Sequence, residues 1–170
     1  MMSLCLIRLK PNPKGKDRTP DGKASATQLA GEWVDITNVG VSSVNLSGIR
    51  LEHKAYRSTF NWDWKEIGTF GDIVLSPQST LRVHSGPGPE SVLSSQDRNG
   101  ADIHCFSGSN YVWNNQKSDS ARLITGKTVV DQATYEPNPP EGVVLQRRGT
   151  KLIPDFRLQL SRLLKSQLGY

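Results

Sequence analysis

The sequence predicts an all-β domain, an antiparallel sandwich or barrel. Three observations predict it. Short runs rich in β-branched and aromatic residues alternate with polar ones, Gly and Pro turns punctuate them at close spacing, and no window of residues 30–136 keeps a helical period over 11 residues. About six to eight strands at such spacing, with no intervening helices, give two antiparallel layers or a closed sheet.

The strands are read in order. Glu32-Trp33-Val34-Asp35-Ile36-Thr37-Asn38 runs into Gly40, a strand and its turn. Leu46, Ile49 and Leu51 mark the next strand, with Gly48 as a bulge or a close backbone approach. Phe60, Trp62 and Trp64 alternate strictly, as on a half-buried strand. Ile73-Val74-Leu75 leads to the turn Ser76-Pro77-Gln78-Ser79, and Thr80 to Ser85 alternates again. Ala121 to Ile124 and Thr128 to Asp131 flank Thr125-Gly126-Lys127 and form a hairpin. One polar stretch from Gly86 to about Phe106 is longer than ordinary loops, which makes it functional or disordered.

After Tyr135 the composition changes. Residues 137–142 form a Pro-rich linker, since Pro137, Pro139 and Pro140 cannot continue a central strand. Val143-Val144-Leu145 reads as a short edge strand or a packing segment. Phe156, Leu160, Leu163, Leu164 and Leu168 fit one helical stripe behind Pro154; Phe156, Leu158 and Leu160 also fit a strand, and the length of the apolar pattern favours the helix. The expected division is therefore a sandwich over 1–136, the linker, and a basic amphipathic C-terminal segment over 143–170 that contains a helix.

Charge follows the same division. The 170 residues carry a net charge of +5. Residues 1–23 hold six basic residues against two acids, residues 24–145 nine against thirteen, and residues 146–170 six against one. The whole excess thus equals the charge of the last 25 residues, and the basic balance says little about the sandwich. Arg147, Arg148, Lys151, Arg157, Arg162 and Lys165 are the candidate contacts to a partner or an anion, because arginine forks match phosphate and carboxylate. Trp62 and Trp64 join them. Two apart on a strand, they face the same side and are either covered by the protein itself or form a sticky patch, or a stacking platform for single-stranded nucleic acid. Trp33 and Trp113 are expected to be core anchors.

Catalytic and metal-binding chemistry finds little support. His53, His84 and His104 are the only histidines, and His104 beside Cys105 is no dyad, because neighbouring strand side chains point to opposite faces. A metal-assisted hydrolase using His104, Asp97 and Asp102 lacks a ligand pattern. The stretch Asp97-Arg98-Asn99-Gly100-Ala101-Asp102 resembles a calcium-loop fragment, but its first and last ligand positions fall on Ser95 and Phe106, so it reads as an Asn-Gly turn. No glycine-rich phosphate loop or His-Glu-x-x-His motif occurs. Two cysteines give neither a disulfide scaffold nor a four-cysteine zinc site.

The ordered motifs resemble the lamin tail domain family. They are Gly31-Glu32-Trp33-Val34-Asp35-Ile36-Thr37-Asn38-Val39-Gly40, then Val44-Asn45-Leu46-Ser47-Gly48, and then Leu75 to Gly86 with its Ser-Pro-Gln turn. Val112-Trp113-Asn114-Asn115 and Val129 to Tyr135 complete the set, and Ile7 to Asp17 resembles the lead strand and loop of prokaryotic stand-alone members. Asp63-Trp64-Lys65-Glu66 departs from the family pattern by being more aromatic and polar, and Ile103-His104-Cys105-Phe106 replaces a more aromatic segment. The resemblance implies an immunoglobulin-like β-sandwich acting as a non-catalytic interaction or tethering module without a cofactor. The expected partner is a protein or a second copy of the chain; nucleic acid or another anionic polymer is the alternative, and a membrane surface the weakest of the three. No export signal or spanning stretch is read, so a cytoplasmic location is expected, although family members are often secreted.

Overall fold

The computed structural model describes residues 3–15, 20–108 and 110–155. In chain order the elements are β1 (Leu4–Lys10), α1 (Ala26–Gly31), β2 (Trp33–Asn38), β3 (Val44–Asn45), β4 (Ile49–Tyr56), β5 (Trp62–Thr69), β6 (Val74–Leu75), β7 (Thr80–His84), α2 (Ser95–Arg98), β8 (Ile103–Phe106), β9 (Asp119–Thr125), β10 (Thr128–Tyr135), β11 (Leu145–Arg148) and β12 (Lys151–Pro154). Ten strands form one curled sheet in the order β5-β4-β9-β10-β12-β11-β1-β2-β7-β8, and β3 pairs with β6 beside it. The immunoglobulin-like β-sandwich is thus present, with its two layers joined along one side.

Alternation decides what lies inside. Leu51 of β4, Leu123 of β9, Ala133 of β10 and Leu152 of β12 point inward. They meet Leu6 and Leu9 of β1, Val34 and Ile36 of β2 and Leu81 of β7 in one core. Each such aliphatic side chain contributes about 1.5–3 kcal/mol by leaving water. Trp113 belongs to this core as expected. Trp33 does not. It is buried on the opposite face of β2, beneath the crossover that follows β7.

That crossover explains the long polar stretch. β8 pairs with β7 in parallel, so the chain must return to the start of β7 before it can pair. Residues 86–102 make this return across the outer face of β2 and β7, with a 3-10 turn at Glu90–Val92 and the single-turn α2. The stretch is not a disordered loop, and its two aspartates are taken up by the protein itself. Asp97 accepts from Lys10 Nζ (2.5 Å) and Trp33 Nε1 (2.8 Å), and Asp102 accepts from the Thr80 amide (2.8 Å). Gly86 is required where the crossover leaves the sheet, because a Cβ there would lie 2.7 Å from the Ala30 amide of α1.

Beyond Tyr135 the sheet goes on. β11 pairs antiparallel with β1 (Arg8↔Gln146, Leu9↔Leu145), and β12 pairs in parallel with β10 (Thr134↔Lys151). The hairpin therefore joins the two layers, and the sheet does not end where the sequence divides the chain at 136. The Pro-rich stretch is tied to the body by Asn12 Nδ2 donating to Pro139 O (3.0 Å) and the Gly142 amide donating to Asn12 O (2.7 Å). The expected C-terminal helix lies outside the described residues. No helix among the described residues is long and apolar enough to cross a membrane.

Candidate functional site

The outer face of the sheet has two unlike halves. Over β1, β2, β7 and β8 it is covered, and its side chains form a buried polar layer. Asp35 stands at the centre. Arg82 donates to both its oxygens (Nε to Oδ1, 2.7 Å; Nη2 to Oδ2, 2.9 Å), and Arg8 Nη2 donates to Oδ2 at 2.7 Å. Arg82 is 1% exposed, lies 3.6 Å over the Trp33 ring, and donates Nη1 to the carbonyls of Asp97 and Asn99. Next in the layer, His84 Nδ1 donates to Ala30 O at 2.5 Å, since a carbonyl only accepts. His84 Nε2 must then accept from His104 Nδ1 at 2.9 Å. Burial pushes the His84 pKa down to about 4.

This layer is structural. A cleft of about 400 Å³ opens beside it, lined in part by Arg8, Gln96, Asn99 and Gln146, but the arginine charges there are already spent on Asp35. His104 faces His84 while Cys105 packs on the core, so the two are not a dyad. No cluster of three or more metal-ligating side chains occurs among the described residues.

The other half, over β5, β4, β9, β10, β12 and β11, has no crossover laid on it among the described residues and is the open half, although Glu52, Ser120 and Ile124 on it are buried beneath their longer neighbours. Register fixes which side chains share it. Trp64 pairs with Lys54 and Trp62 with Tyr56, Arg122 with Glu52, Thr134 with both Ser120 and Lys151, and Lys151 with Arg148. Continuing the β4–β9 register by one residue sets Lys54 opposite Ser120. Directly paired residues project to the same side. One transverse row therefore runs Trp64, Lys54, Ser120, Thr134, Lys151, Arg148 across six strands. The Ser120 Oγ and Thr134 Oγ1 hydroxyls meet at 2.7 Å in its middle.

Aromatic rings and cations interleave at the β5 end. Lys54 Nζ sits 4.5 Å from the Trp62 ring centre and 5.0 Å from that of Tyr56. Lys117 Nζ sits 4.6 Å from Tyr56, and the Arg122 guanidinium 4.0 Å from Trp64. Trp62 and Trp64 are perpendicular, with centroids 5.7 Å apart. Trp62 is 40% exposed and Phe60, in the preceding turn, 96%. The aromatic stripe is thus not core; Lys54 lies over Trp62, Arg122 over Trp64, and the two indoles meet edge to face. The acids of the face are all engaged. Glu52 holds Arg122 at 2.6 Å, Glu66 lies 3.8 Å from Arg50, and Glu136 holds Lys151 at 2.9 Å. Lys54, Lys117 and Arg148 carry no carboxylate partner among the described residues.

The predicted contact residues separate accordingly. Trp62, Trp64, Arg148 and Lys151 lie on this one face. Arg147, one residue along, points the other way and is spent on Asp131 (2.9 and 3.0 Å) and on Leu6 O (3.2 Å), tying β11 to β10 and β1. Arg157, Arg162 and Lys165 lie outside the described residues. Sequence reasoning missed Lys54, Tyr56, Lys117 and Arg122. The Lys-Ala-Tyr alternation opposite Trp62 and Trp64 was the available signal for the first two.

The model of the Lamin Tail Domain family matches residues 8–137. Its members are non-enzymatic immunoglobulin-like domains. No curated protein sequence gives a significant match to the chain.

Proposed function

Because the chain belongs to the lamin tail domain family, we propose that it works as a non-catalytic interaction or tethering module, holding a macromolecular partner on the open half of its sheet. The observation that carries this reading is the contrast between the two halves. One is sealed by a crossover and internally neutralised; the other leaves Trp62 and Phe60 exposed and three cations without carboxylate partners among the described residues. Exposed aromatics set among polar and charged side chains form the kind of patch that marks an interaction site. Binding here means shape, stacking and charge complementarity, with no bond made or broken.

The test is capture from an extract of the source cells on immobilised full-length protein, with protein and nucleic acid both identified in the eluate. Trp62→Ala with Trp64→Ala is expected to abolish a saturable capture while leaving the melting temperature nearly unchanged. Capture that is equal with both proteins contradicts the use of this face.

A second reading rests on β5 itself, which ends the sheet and has one backbone edge unpaired among the described residues. A second copy pairing there gives a dimer. Sedimentation showing a monomer across the micromolar range removes this reading.

A further inference from the structure

We propose that the partner held on the open face is a single-stranded nucleic acid, lying along the row from Trp64 to Arg148. This rests on the module reading above and adds the class of partner.

Four features select it. First, the row is long and follows the curl of the sheet. Five strand spacings make it about 24 Å, enough for a polymer and far too extended for a small ligand. Second, its surplus is positive. The three acids on the face are paired, while Lys54 and Lys117 at the aromatic end and Arg148 at the other have no carboxylate partner among the described residues. A polyanion fits that pattern, and its bound counterions are released on docking. Third, the aromatics match bases. Lys54 Nζ lies over one face of the Trp62 ring at 4.5 Å and the indole is 40% exposed, so a base stacked on its solvent-exposed part has that ammonium beside it for its phosphate. The perpendicular Trp62–Trp64 pair offers separate ring faces rather than one continuous plate, which suits bases taken singly and not the flat face of a polysaccharide sheet. Fourth, the middle of the row is low, with Ser120 buried and its hydroxyl bonded to that of the half-buried Thr134, so no pocket for a side chain is formed between them. A protein strand held by side-chain recognition needs pockets for alternate residues. A nucleic-acid duplex hides its bases and leaves the indoles without a role.

The inference joins residues that are far apart in sequence. Trp62 and Trp64 come from β5, and Arg148 and Lys151 from the β11–β12 hairpin, yet the sheet register sets them on one line. Arg147 is excluded by its bidentate pair with Asp131, so it provides an internal control.

The experiment is a tryptophan-fluorescence titration of full-length protein with an oligo(dT) of about 15 nucleotides, across salt from about 50 mM upward. Trp33 and Trp113 are buried, so quenching reports Trp62 and Trp64. The expected result is saturable quenching with a steep salt slope. Trp62→Ala with Trp64→Ala, followed by anisotropy of a labelled strand, weakens binding about tenfold or more. Arg148→Ala with Lys151→Ala weakens it and flattens the slope by about one unit. Polyglutamate, a polyanion without bases, gives no quenching. If polyglutamate competes as well as oligo(dT) and the tryptophan variant binds normally, the attraction is charge alone and the proposal is overturned. If oligo(dT) does not bind, while the extract capture yields a protein through the same tryptophans, the nucleic-acid assignment is overturned and the module reading stands. If capture also fails to depend on the tryptophans, both fall.

Discussion

Asp35 shares one fully buried carboxylate between Arg82 and Arg8, so removing the larger share leaves a charge that one remaining arginine must hold. Arg82→Ala is expected to cost about 3 kcal/mol in denaturant unfolding, and Arg82→Lys to rescue little, because an ammonium cannot span Asp35 and two crossover carbonyls. Two other buried residues set the pH dependence. Burial raises the Glu32 pKa to about 8 from 4.5, although the Val112 and Trp113 amides donate to it. A raised carboxyl gives stability that is complete below 4.5 and lost as pH rises through 8. His84, lowered from 6.5 to about 4, gives stability that is complete above 6.5 and lost as pH falls through 4. The two slopes oppose each other between about 4.5 and 6.5 and leave a decline from about 6.5 to 8. Chemical unfolding at several pH values checks this. Glu32→Gln should flatten the decline while losing about 1 kcal/mol for one backbone hydrogen bond.

At the scale of elements, the β11–β12 hairpin carries more than its length suggests. Val143, Leu145 and Leu152 are buried, and Arg147 ties β11 to β10 and β1. Three such aliphatics are worth about 5–9 kcal/mol, comparable to the whole stability of a domain. A chain ending at Glu136 is therefore expected to fail to fold cooperatively, with loss of near-ultraviolet dichroism, whereas one ending at Asp155 melts as a cooperative unit. The strands of the middle were legible because alternation and turn residues act locally. The hairpin was not, because Arg147-Arg148 and Lys151 read as a charge cluster, and only the register shows Arg147 facing in and Arg148 facing out. The parallel pairing of β8 was equally hidden. A crossover and a disordered loop have the same polar composition, and what separates them is Asp97 reaching Lys10 and Trp33 from distant parts of the chain. The aromatic stripe was visible as a stripe, but its exposure depends on which layer the crossover covers, and that is a property of topology.

For the whole molecule, the central claim is that one half of a single curled sheet is sealed and the other is kept open for a partner. The sealed half spends its charges inside; the open half keeps cations beside aromatic rings. Net charge does not reveal this, since a sum over the chain does not say on which face the cations stand or which of them are paired. Trp62 and Trp64 on the open half, and Trp33 and Trp113 in the interior, give four indole N–H probes, two on each side of the claim. The most direct measurement is the nuclear magnetic resonance spectrum of those four indoles in full-length protein during titration with a single-stranded oligonucleotide. The account predicts that the Trp62 and Trp64 signals shift and saturate together while those of Trp33 and Trp113 stay in place. Shifts confined to the buried pair, or none on the open face while binding is saturated, would contradict it.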